Sequence, residues 1–521
     1  MEILIAGTSA YDDPAAEEWK PDLRLTVSFL RRHGADAGYV YVASPQEGGL
    51  SSLVEAAHPR AIFLELSEEN RKPVLLAVKE LGQRFLEIPV LLGGIPATLD
   101  AESVFDQCEQ ATFLVEGERE LTLLETVERL RGHEPLDGIP GLRTCEARNP
   151  PRPLLPDLDV LGSIVYDGLP EMLSSYSAGD RTAFLRSSRG CYGTCSFCGI
   201  PGFYRRSPGA PWRGRSPKVV VDEIEGLISA FGIRRFVFED DDFMGPGAAG
   251  RERARGIASE IARRKLGIEY FVCCRLNDVD AATMSALKAS GLSGIGVSVE
   301  SANQESLDLL KKGIKATAIY PKLRLLEELQ IRCEVNMIFF DPRVTLAGVR
   351  KNLELLDYVR RSEYLSYSDA FPFTELQAFP WSPVSRSLRA EGLLEGDGPM
   401  CRFKDPLVSV LAGLVCRLQK RMPIVFKKRL LFEKVDSALP HDAATAILRV
   451  AAGMRHWAGL TVMPRFVAEA CDILERDSDD VTRQFVLLEE RFDEAIEFLR
   501  ILEDRIAGLS GMESERPTMI R

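Results

Sequence analysis

The sequence predicts an α/β protein in three parts: an N-terminal doubly wound Rossmann-like domain, a central partial six-stranded (βα)6 barrel and an all-helical C-terminal domain. Two observations support this prediction. Short, apolar, β-branched runs alternate with amphipathic helical runs over most of the chain, and from about residue 396 onward the pattern is purely helical. Apolar strands that alternate with helices are typical of parallel sheets covered by helices on both faces.

Residues 1–133 form the first predicted domain. Four strand-like runs, EILIAG, AIFLEL, IPVLLGG and ATFLVEG, are separated by helical segments such as PDLRLTVSFLRRHG. Ligands of doubly wound sheets bind beyond the carboxyl ends of the strands. That edge carries the glycine-containing stretches GTSAY (7–11), GGIPAT (93–98) and EGERE (116–120), each of which could equally be a tight turn between strand and helix.

Residues 134–180 are rich in proline and are predicted to be a linker, because proline disfavours helices and central strands. Residues 181–395 resume the alternation with six strand-like runs, each but the last followed by a helix. Six strands are too few for a closed eight-stranded barrel, but the connectivity is of the barrel type. Residues 396–521 contain four helical segments, at 407–422, 442–458, 464–477 and 481–509.

The charge of the chain disfavours nucleic acid or a membrane as partner. Lys and Arg number 65 against 77 Asp and Glu, for a net charge of −12 without a basic tail. No apolar stretch reaches the ~18 residues of a membrane span, and the first residues read as a strand rather than a secretory signal. The cysteines outside residues 191–198 are scattered among apolar residues, as in proteins with reduced thiols. This pattern predicts a cytoplasmic location.

One loop concentrates the chemistry. The stretch SRGCYGTCSFCGIP (188–201) places Cys191, Cys195 and Cys198 within eight residues. An odd number of thiols at such short spacing disfavours disulfides, and a structural zinc site needs a fourth ligand that is absent nearby. A [4Fe–4S] cluster takes one thiolate per iron, so three thiolates leave one iron open. The spacing favours the cluster, with zinc and incidental core cysteines as alternatives.

This stretch resembles the radical S-adenosylmethionine (SAM) superfamily, whose pattern is Cys-x3-Cys-x2-Cys with an aromatic residue, here Phe197, before the last cysteine. The resemblance implies that the three cysteines bind a [4Fe–4S] cluster whose open iron chelates SAM. It further implies that one electron cleaves SAM to methionine and a 5′-deoxyadenosyl radical, which abstracts hydrogen from a small-molecule substrate. An electron donor such as flavodoxin or ferredoxin is therefore an implied partner. The resemblance identifies no catalytic base.

Other stretches resemble the looser motifs of the same family at the ends of its barrel strands. Cofactor binding is implied for Asp240 and Asp241 in FEDDDF, Arg275 in CCRL, and Ser298 and Glu300 in GVSVES. Each of these could also be an ordinary polar residue at the barrel rim. The family's usual proline-glycine-threonine stretch is altered here and contains Trp381 and Ser382 instead.

The N-terminal domain resembles that of the cobalamin-binding radical SAM subfamily. Members carry Gly-Gly-x-x-Ala-Thr and then Gly-Glu-x-Glu at the start of a helix. The matching residues are Gly93, Gly94, Ala97, Thr98, Gly117, Glu118 and Glu120. The motif with an axial histidine, Asp-x-His-x-x-Gly, is absent. The resemblance therefore implies cobalamin as a third cofactor without identifying an axial ligand.

If cobalamin binds, the resemblance implies methylation of an unactivated carbon, in an enzyme of specialised-metabolite biosynthesis. The alternative is cobalamin-independent radical dehydration or epimerisation of a sugar or aminoglycoside. A more distant alternative is a non-enzymatic iron–sulfur or zinc protein that acts as a sensor or binding module.

Overall fold

The computed structural model describes residues 1–8, 19–42, 48–108, 113–174, 176, 181–367, 373–394, 396, 398–421, 463–475, 484, 486–494 and 497. The chain divides into two compact units. The first comprises Met1–Val297, Pro321–Cys333 and Pro380–Pro383, and the second comprises Ser298–Tyr320, Glu334–Phe379 and Val384–Arg521. The domain boundaries predicted at 133, 180 and 395 differ from this division and stay predictions.

An N-terminal sheet of six strands begins the first unit. The strands are β1 (Ile3–Thr8), β2 (Ala37–Val42), β3 (Ala61–Glu65), β4 (Val90–Gly93), β5 (Phe113–Val115) and β6 (Leu142–Arg143). Their order is β2-β1-β3-β4-β5-β6, and all neighbours are parallel except β5 and β6. The doubly wound prediction is confirmed. The sequence prediction missed β2, whose run AGYVYV opens with two small residues and has no aliphatic block.

Helices cover this sheet on both faces. They are α1 (Pro21–Arg32), α2 (Gly49–Ala57), α3 (Arg71–Arg84), α4 (Ile95–Leu99), α5 (Ala101–Gln107) and α6 (Glu120–Gly132). Successive side chains of a strand point to opposite faces, yet Ile3, Leu4, Ile5 and Ala6 of β1 are all fully buried. Both faces of β1 are therefore covered.

The proline-rich segment 134–180 contains more regular structure than the linker prediction implied. It contributes β6, a short 3-10 helix at Leu158–Leu161, and α7 (Leu169–Ser174). Strand β6 lies at the edge of the sheet, where nearby prolines do not interrupt the ladder of hydrogen bonds.

A second six-stranded sheet carries the predicted barrel strands. They are β7 (Thr182–Leu185), β10 (Arg235–Phe238), β11 (Glu269–Arg275), β12 (Leu292–Glu300), β13 (Arg332–Met337) and β14 (Leu365–Tyr367). The order β14-β13-β12-β11-β10-β7 follows the chain, as in a (βα) barrel. Two short strands, β8 (Ser188–Arg189) and β9 (Arg213–Gly214), form a separate antiparallel pair. Residues 190–212 connect them and contain the three cysteines, and we call this unit the cysteine hairpin. The count of six strands is confirmed.

The helices between these strands begin and end at residues that favour helix ends. They are α8 (Gly199–Arg205), α9 (Pro217–Phe231), α10 (Gly247–Arg264), α11 (Ala281–Ser290), α12 (Gln304–Leu309), α13 (Ile319–Glu328), α14 (Leu346–Arg361) and α15 (Pro383–Ala390). The side chains of Ser216, Asp280 and Thr345 accept N–H groups at the starts of α9, α11 and α14. These caps fix where each helix leaves its strand.

The second unit contains two further described helices, α16 (Pro406–Arg421) and α17 (Met463–Glu475). Arg350 of α14 forms ion pairs with Asp472 at 2.8 Å and with Glu475 at 2.7 Å. The helix predicted at 442–458 and most of the one predicted at 481–509 lie outside the described residues. Among the helices that are described, none has the length and apolar character needed to span a membrane.

Gly190 lies between β8 and the first cysteine, at a position where the hairpin is tightly packed. It has a φ of +80°, and a Cβ added there would lie 1.8 Å from the carbonyl oxygen of Pro211. Gly138 has a similar φ of +78°, but its Cβ would meet no atom within 4 Å. Both substitutions to alanine incur the ~1 kcal/mol cost of a left-handed residue, and only Gly190→Ala adds a backbone clash.

We therefore expect Gly190→Ala to lower the midpoint of thermal unfolding by several degrees more than Gly138→Ala does, measured by scanning calorimetry. Equal midpoints for the two variants would show that the hairpin accommodates the extra methyl group.

Candidate functional site

The three cysteines occupy a loop that begins directly after β8. Cys195 is buried, Cys191 and Cys198 are half-buried, and all three thiols are free. The N–H of Cys198 donates to the carbonyl of Cys195 at 3.4 Å, which closes the loop into a turn before α8 begins at Gly199. Phe197 lies half-buried in this turn. The loop therefore presents all three predicted ligands from one short segment.

The donor set of the loop consists of three thiols. A [4Fe–4S] cluster binds one thiolate per iron, so three thiols fit such a cluster with one iron left open. Burial raises the pKa of Cys191 to about 11 and that of Cys198 to about 12. Metal binding would therefore release protons from these thiols.

Arg275, at the end of β11, lies against the cysteine loop. Its Nη1 donates to Sγ of Cys195 at 3.4 Å, and its guanidinium carbon lies 5.2 Å from the ring centroid of Tyr192. A Cβ on Gly193 would lie 2.1 Å from Nη1 of Arg275. This arginine thus approaches a thiol and leaves no room for a side chain at position 193.

Asp240 and Asp241 hold the segment that leads into the loop. The carboxylate of Asp240 accepts the N–H groups of Ser187 at 2.8 Å and Ser188 at 2.6 Å, and the hydroxyl of Ser187 at 2.6 Å. Asp241 accepts the N–H of Gly190 at 3.0 Å. Both carboxylates therefore have partners within the chain, and cofactor binding by them stays a prediction.

Asp242 was not identified from the sequence and has a different environment. It is fully buried, its Oδ2 lies 3.7 Å from Sγ of Cys191, and its Oδ1 has no hydrogen-bond partner among the described residues. Burial, together with the nearby Asp278 carboxylate, raises its pKa to about 7. A buried carboxylate oxygen without a partner is costly. An ammonium group bound beside Cys191 would satisfy it.

Tyr192, between the first two cysteines, is tied to the end of β11. Its hydroxyl donates to Asp278 at 2.6 Å. Arg205 of α8 donates from its Nη2 to the carbonyl of Gly193 at 3.0 Å. The loop is therefore braced by side chains on two sides, in addition to the carboxylates under its entry.

Ser298 and Glu300 belong to the second unit. Ser298 is half-buried, and Glu300, the last residue of β12, is buried with a φ of +70°. Its carboxylate pairs with Nζ of buried Lys312 at 2.8 Å. A left-handed glutamate is strained, and such strain is typical of functional sites. A cofactor role for these two residues stays a prediction.

The glycines of the N-terminal edge have an internal packing role. A Cβ on Gly93 would lie 2.6 Å from the ring of Phe63, and one on Gly94, whose φ is +109°, would lie 2.2 Å from the carbonyl oxygen of Leu66. These contacts explain both glycines without a ligand. Their contact with a cofactor stays a prediction.

Thr98 links the ends of two neighbouring strands. Its hydroxyl donates to the carbonyl of Gly94 at 2.9 Å and accepts the N–H of Gly117 at 3.0 Å. The predicted residues Gly94, Thr98 and Gly117 are therefore brought together at the carboxyl edge of β4 and β5. Glu118 instead contacts Arg213 of β9 at 2.8 Å, on the side of the cysteine hairpin.

The strand order identifies a further part of this edge that the sequence did not. The order reverses between β1 and β3, and ligands of doubly wound sheets bind at such a switch point. Buried Asn70 there donates to the hydroxyl of Thr8 and to the carbonyl of Glu65, both at 3.0 Å. Thr8 lies in the stretch GTSAY that the sequence placed at this edge, whereas Asn70 lies in no recognisable motif, so only the tertiary order reveals its position.

The residue after the third cysteine contacts the N-terminal edge. A Cβ on Gly199 would lie 2.9 Å from Ile95 of α4 and 3.0 Å from the indole of Trp381. Trp381 in turn donates from Nε1 to Glu68, which follows β3, at 2.7 Å. The cysteine loop and the carboxyl edge of the N-terminal sheet are thus direct neighbours within the first unit.

Comparison with known proteins agrees with this geometry. Residues 185–356 match the family model described as the radical SAM superfamily. The chain is 33% identical to an uncharacterized methyltransferase of Pyrococcus horikoshii over 230 residues, 43% of this chain and 48% of that protein. It is 26% identical to an anaerobic magnesium-protoporphyrin IX monomethyl ester cyclase of Synechocystis over 279 residues, 52% of this chain and 51% of that one. The chain thus spans about half the length of these curated relatives.

A solved structure shares the fold over nearly the whole chain. It is the cobalamin-dependent SAM radical enzyme OxsB with aqua-cobalamin and SAM bound, which aligns with 98% of this chain and 78% of its own at a TM-score of 0.74 and 15% identity. The family match covers the cysteine loop, its aspartates and Arg275. The chain therefore carries a radical SAM domain, and the three-thiol loop belongs to it.

Proposed function

We propose that this chain is a cobalamin-dependent radical SAM enzyme that methylates an unactivated carbon of a small molecule in specialised metabolism. One observation carries the proposal: a three-thiol radical SAM loop lies against the carboxyl edge of a doubly wound sheet within one compact unit. The fold shared with OxsB, a cobalamin-dependent radical enzyme, supports the same conclusion. The methyltransferase among the relatives supports the reaction type.

The loop residues have distinct roles in this proposal. Cys191, Cys195 and Cys198 bind three irons and leave the fourth for SAM. Asp242 accepts the ammonium group of SAM through its unpartnered Oδ1. Arg275 balances negative charge beside Cys195. When bound, the cluster and SAM supply hydrogen-atom abstraction, and the protein binds, orients and excludes water.

The N-terminal edge provides the proposed cobalamin site. Its strand order reverses between β1 and β3, where open α/β sheets bind nucleotide-like cofactors. Arg119, just before α6, has a buried Nη1 without a hydrogen-bond partner among the described residues. That unsatisfied donor fits a neighbouring polar ligand.

The reaction also requires a reductant, and we propose flavodoxin or ferredoxin for this role. The proposed compartment is the cytoplasm, because the eleven cysteines are all free thiols.

Removing one cluster ligand tests the assignment of the loop. Anaerobically reconstituted protein should hold about four irons per chain if the three thiols bind a [4Fe–4S] cluster. We expect Cys195→Ala to lose most of this iron and all cleavage of SAM, measured by iron assay and by chromatography of 5′-deoxyadenosine. Cys145→Ala removes an exposed thiol elsewhere and should change neither. Full iron in Cys195→Ala would contradict the assignment.

Cobalamin content decides between methylation and its alternative. Protein made anaerobically with cobalamin supplied should contain about one cobalamin per chain, because a doubly wound sheet offers one such crevice. The measurement is absorbance after acid release, with an iron count on the same sample. Iron near four without cobalamin would overturn the methyltransferase proposal, and radical dehydration or epimerisation would then lead.

Asp242→Asn tests the proposed ammonium site. Losing a charge-assisted hydrogen bond of about 1.5–3 kcal/mol should weaken SAM binding by roughly 10- to 100-fold. Iron content should stay unchanged, because Asp242 is not a ligand. Equilibrium dialysis under anaerobic conditions measures the Kd for SAM.

Asp222→Asn, on the solvent side of α9, is the matched control and should bind SAM normally. An unchanged Kd in Asp242→Asn would remove Asp242 from the site.

A further inference from the structure

A largely buried ion cluster connects the cysteine hairpin to the N-terminal sheet and its helices. It contains three arginines and four carboxylates. Its members are Arg119, Arg189, Arg213, Asp22, Glu65, Glu118 and Glu120. Two of the arginines belong to the β8–β9 hairpin, and the other members belong to helix starts and strand ends of the N-terminal sheet.

Arg189 lies at the centre of the cluster. Its side chain is only 3% exposed and contacts three carboxylates: Asp22 at 2.8 Å, Glu120 at 2.7 Å and Glu118 at 3.3 Å. Asp22 lies in the first turn of α1, and Glu120 is the first residue of α6. One guanidinium therefore joins two helix starts of the N-terminal domain to the hairpin.

The remaining contacts extend the cluster on both sides. Glu118 accepts from Arg213 of β9 at 2.8 Å and from the N–H of Leu155 at 2.8 Å. Arg119 pairs with Asp22 and with Glu65 at the end of β3, both at 2.9 Å. The cluster thus extends from Arg189, which precedes Gly190, to Glu65 at the switch point of the sheet.

Ion pairing stabilises most charges in the cluster, whereas burial raises the pKa of Glu118 despite the neighbouring Arg189 and Arg213. Burial alone would raise the pKa of Asp22, but Arg189 and Arg119 hold that pKa well below its usual range. Burial alone would lower the pKa of Arg189, and Asp22, Glu120 and Glu118 raise it instead. Removing one member of such a group leaves uncompensated charge in the interior, which is strongly destabilising.

We propose that Arg189 is a positioning residue that fixes the cysteine loop relative to the cofactor edge of the N-terminal sheet. Cys191 follows Arg189 by two residues, and the intervening Gly190 is packed against Pro211, so a displacement of Arg189 is transmitted to the first ligand. We call the ion cluster around Arg189 the clamp. Glu118, which the sequence matched to a cofactor motif, is part of it. The inference rests on the proposed function only in assigning an iron–sulfur cluster to the cysteine loop.

A distance measurement tests the clamp. A nitroxide label on Cys145, the exposed thiol beside the N-terminal sheet, and the reduced cluster form a pair of spins for pulsed dipolar electron paramagnetic resonance. We expect a single narrow distance in the unsubstituted protein and a loss of that narrow peak in Arg189→Met. Arg189→Lys keeps the charge but not the planar fork and should give an intermediate distribution.

Two further variants separate this role from general destabilisation and from cofactor binding. Arg24 is a buried arginine of α1 that donates to the backbone carbonyls of Trp19, Val165 and Asp167, so Arg24→Met should keep the narrow peak. Glu118→Gln retains the shape of the side chain and should broaden the distance while cobalamin content stays normal. Lost cobalamin with an unchanged distance would instead make Glu118 a cofactor ligand.

Amide hydrogen exchange is a second test of the clamp, and it needs no bound cofactor. The N–H groups of Ser187, Ser188 and Gly190 are protected by Asp240 and Asp241. In Arg189→Met they should exchange on the order of 10-fold faster, and in Arg24→Met they should not. An absent cluster signal in the unsubstituted protein would count against the proposed function alone. Unchanged exchange in Arg189→Met would overturn the clamp.

Discussion

The structure depends on how a loop without regular secondary structure is held at its entry. Asp240 and Asp241 accept the backbone N–H groups of Ser187, Ser188 and Gly190. Hydrogen bonds to ionised carboxylates are among the stronger ones in proteins. Because these bonds orient the backbone itself, they fix the direction in which the chain enters the cysteine turn.

This arrangement separates the carboxylates that hold the loop from the one that we propose binds a ligand. Three consecutive aspartates follow β10, and two of them accept backbone N–H groups. Of these three, only Asp242 has a buried oxygen without a hydrogen-bond partner among the described residues, and its other oxygen lies beside a thiol. In the proposed site, the same run of sequence thus supplies both the support and the binding group, and the support keeps Asp242 in place.

The sequence predicted the features that depend on local pattern. Cys191, Cys195 and Cys198 lie within one turn of chain, and alternating apolar and amphipathic runs mark the six barrel strands. Features that depend on distant partners were not predictable. Asp240 meets Ser187 across 53 residues of chain, and Glu118 meets Arg189 across 71. Spacing alone cannot tell Asp240 from Asp242, or a clamp carboxylate from a cofactor ligand.

Charged contacts suit the junction between hairpin and N-terminal domain for a geometric reason. Apolar surfaces can slide with little loss, and replacing a buried ion pair with apolar residues is often neutral for stability. A guanidinium shared by Asp22 and Glu120 is satisfied in one orientation only, because its donors form a rigid fork. The ion cluster therefore fixes the position of the hairpin relative to the N-terminal sheet and adds little net stability. A site whose chemistry spans a loop and a separate sheet edge needs that fixed position, since a misplacement of about 1 Å can cost on the order of 100-fold in rate.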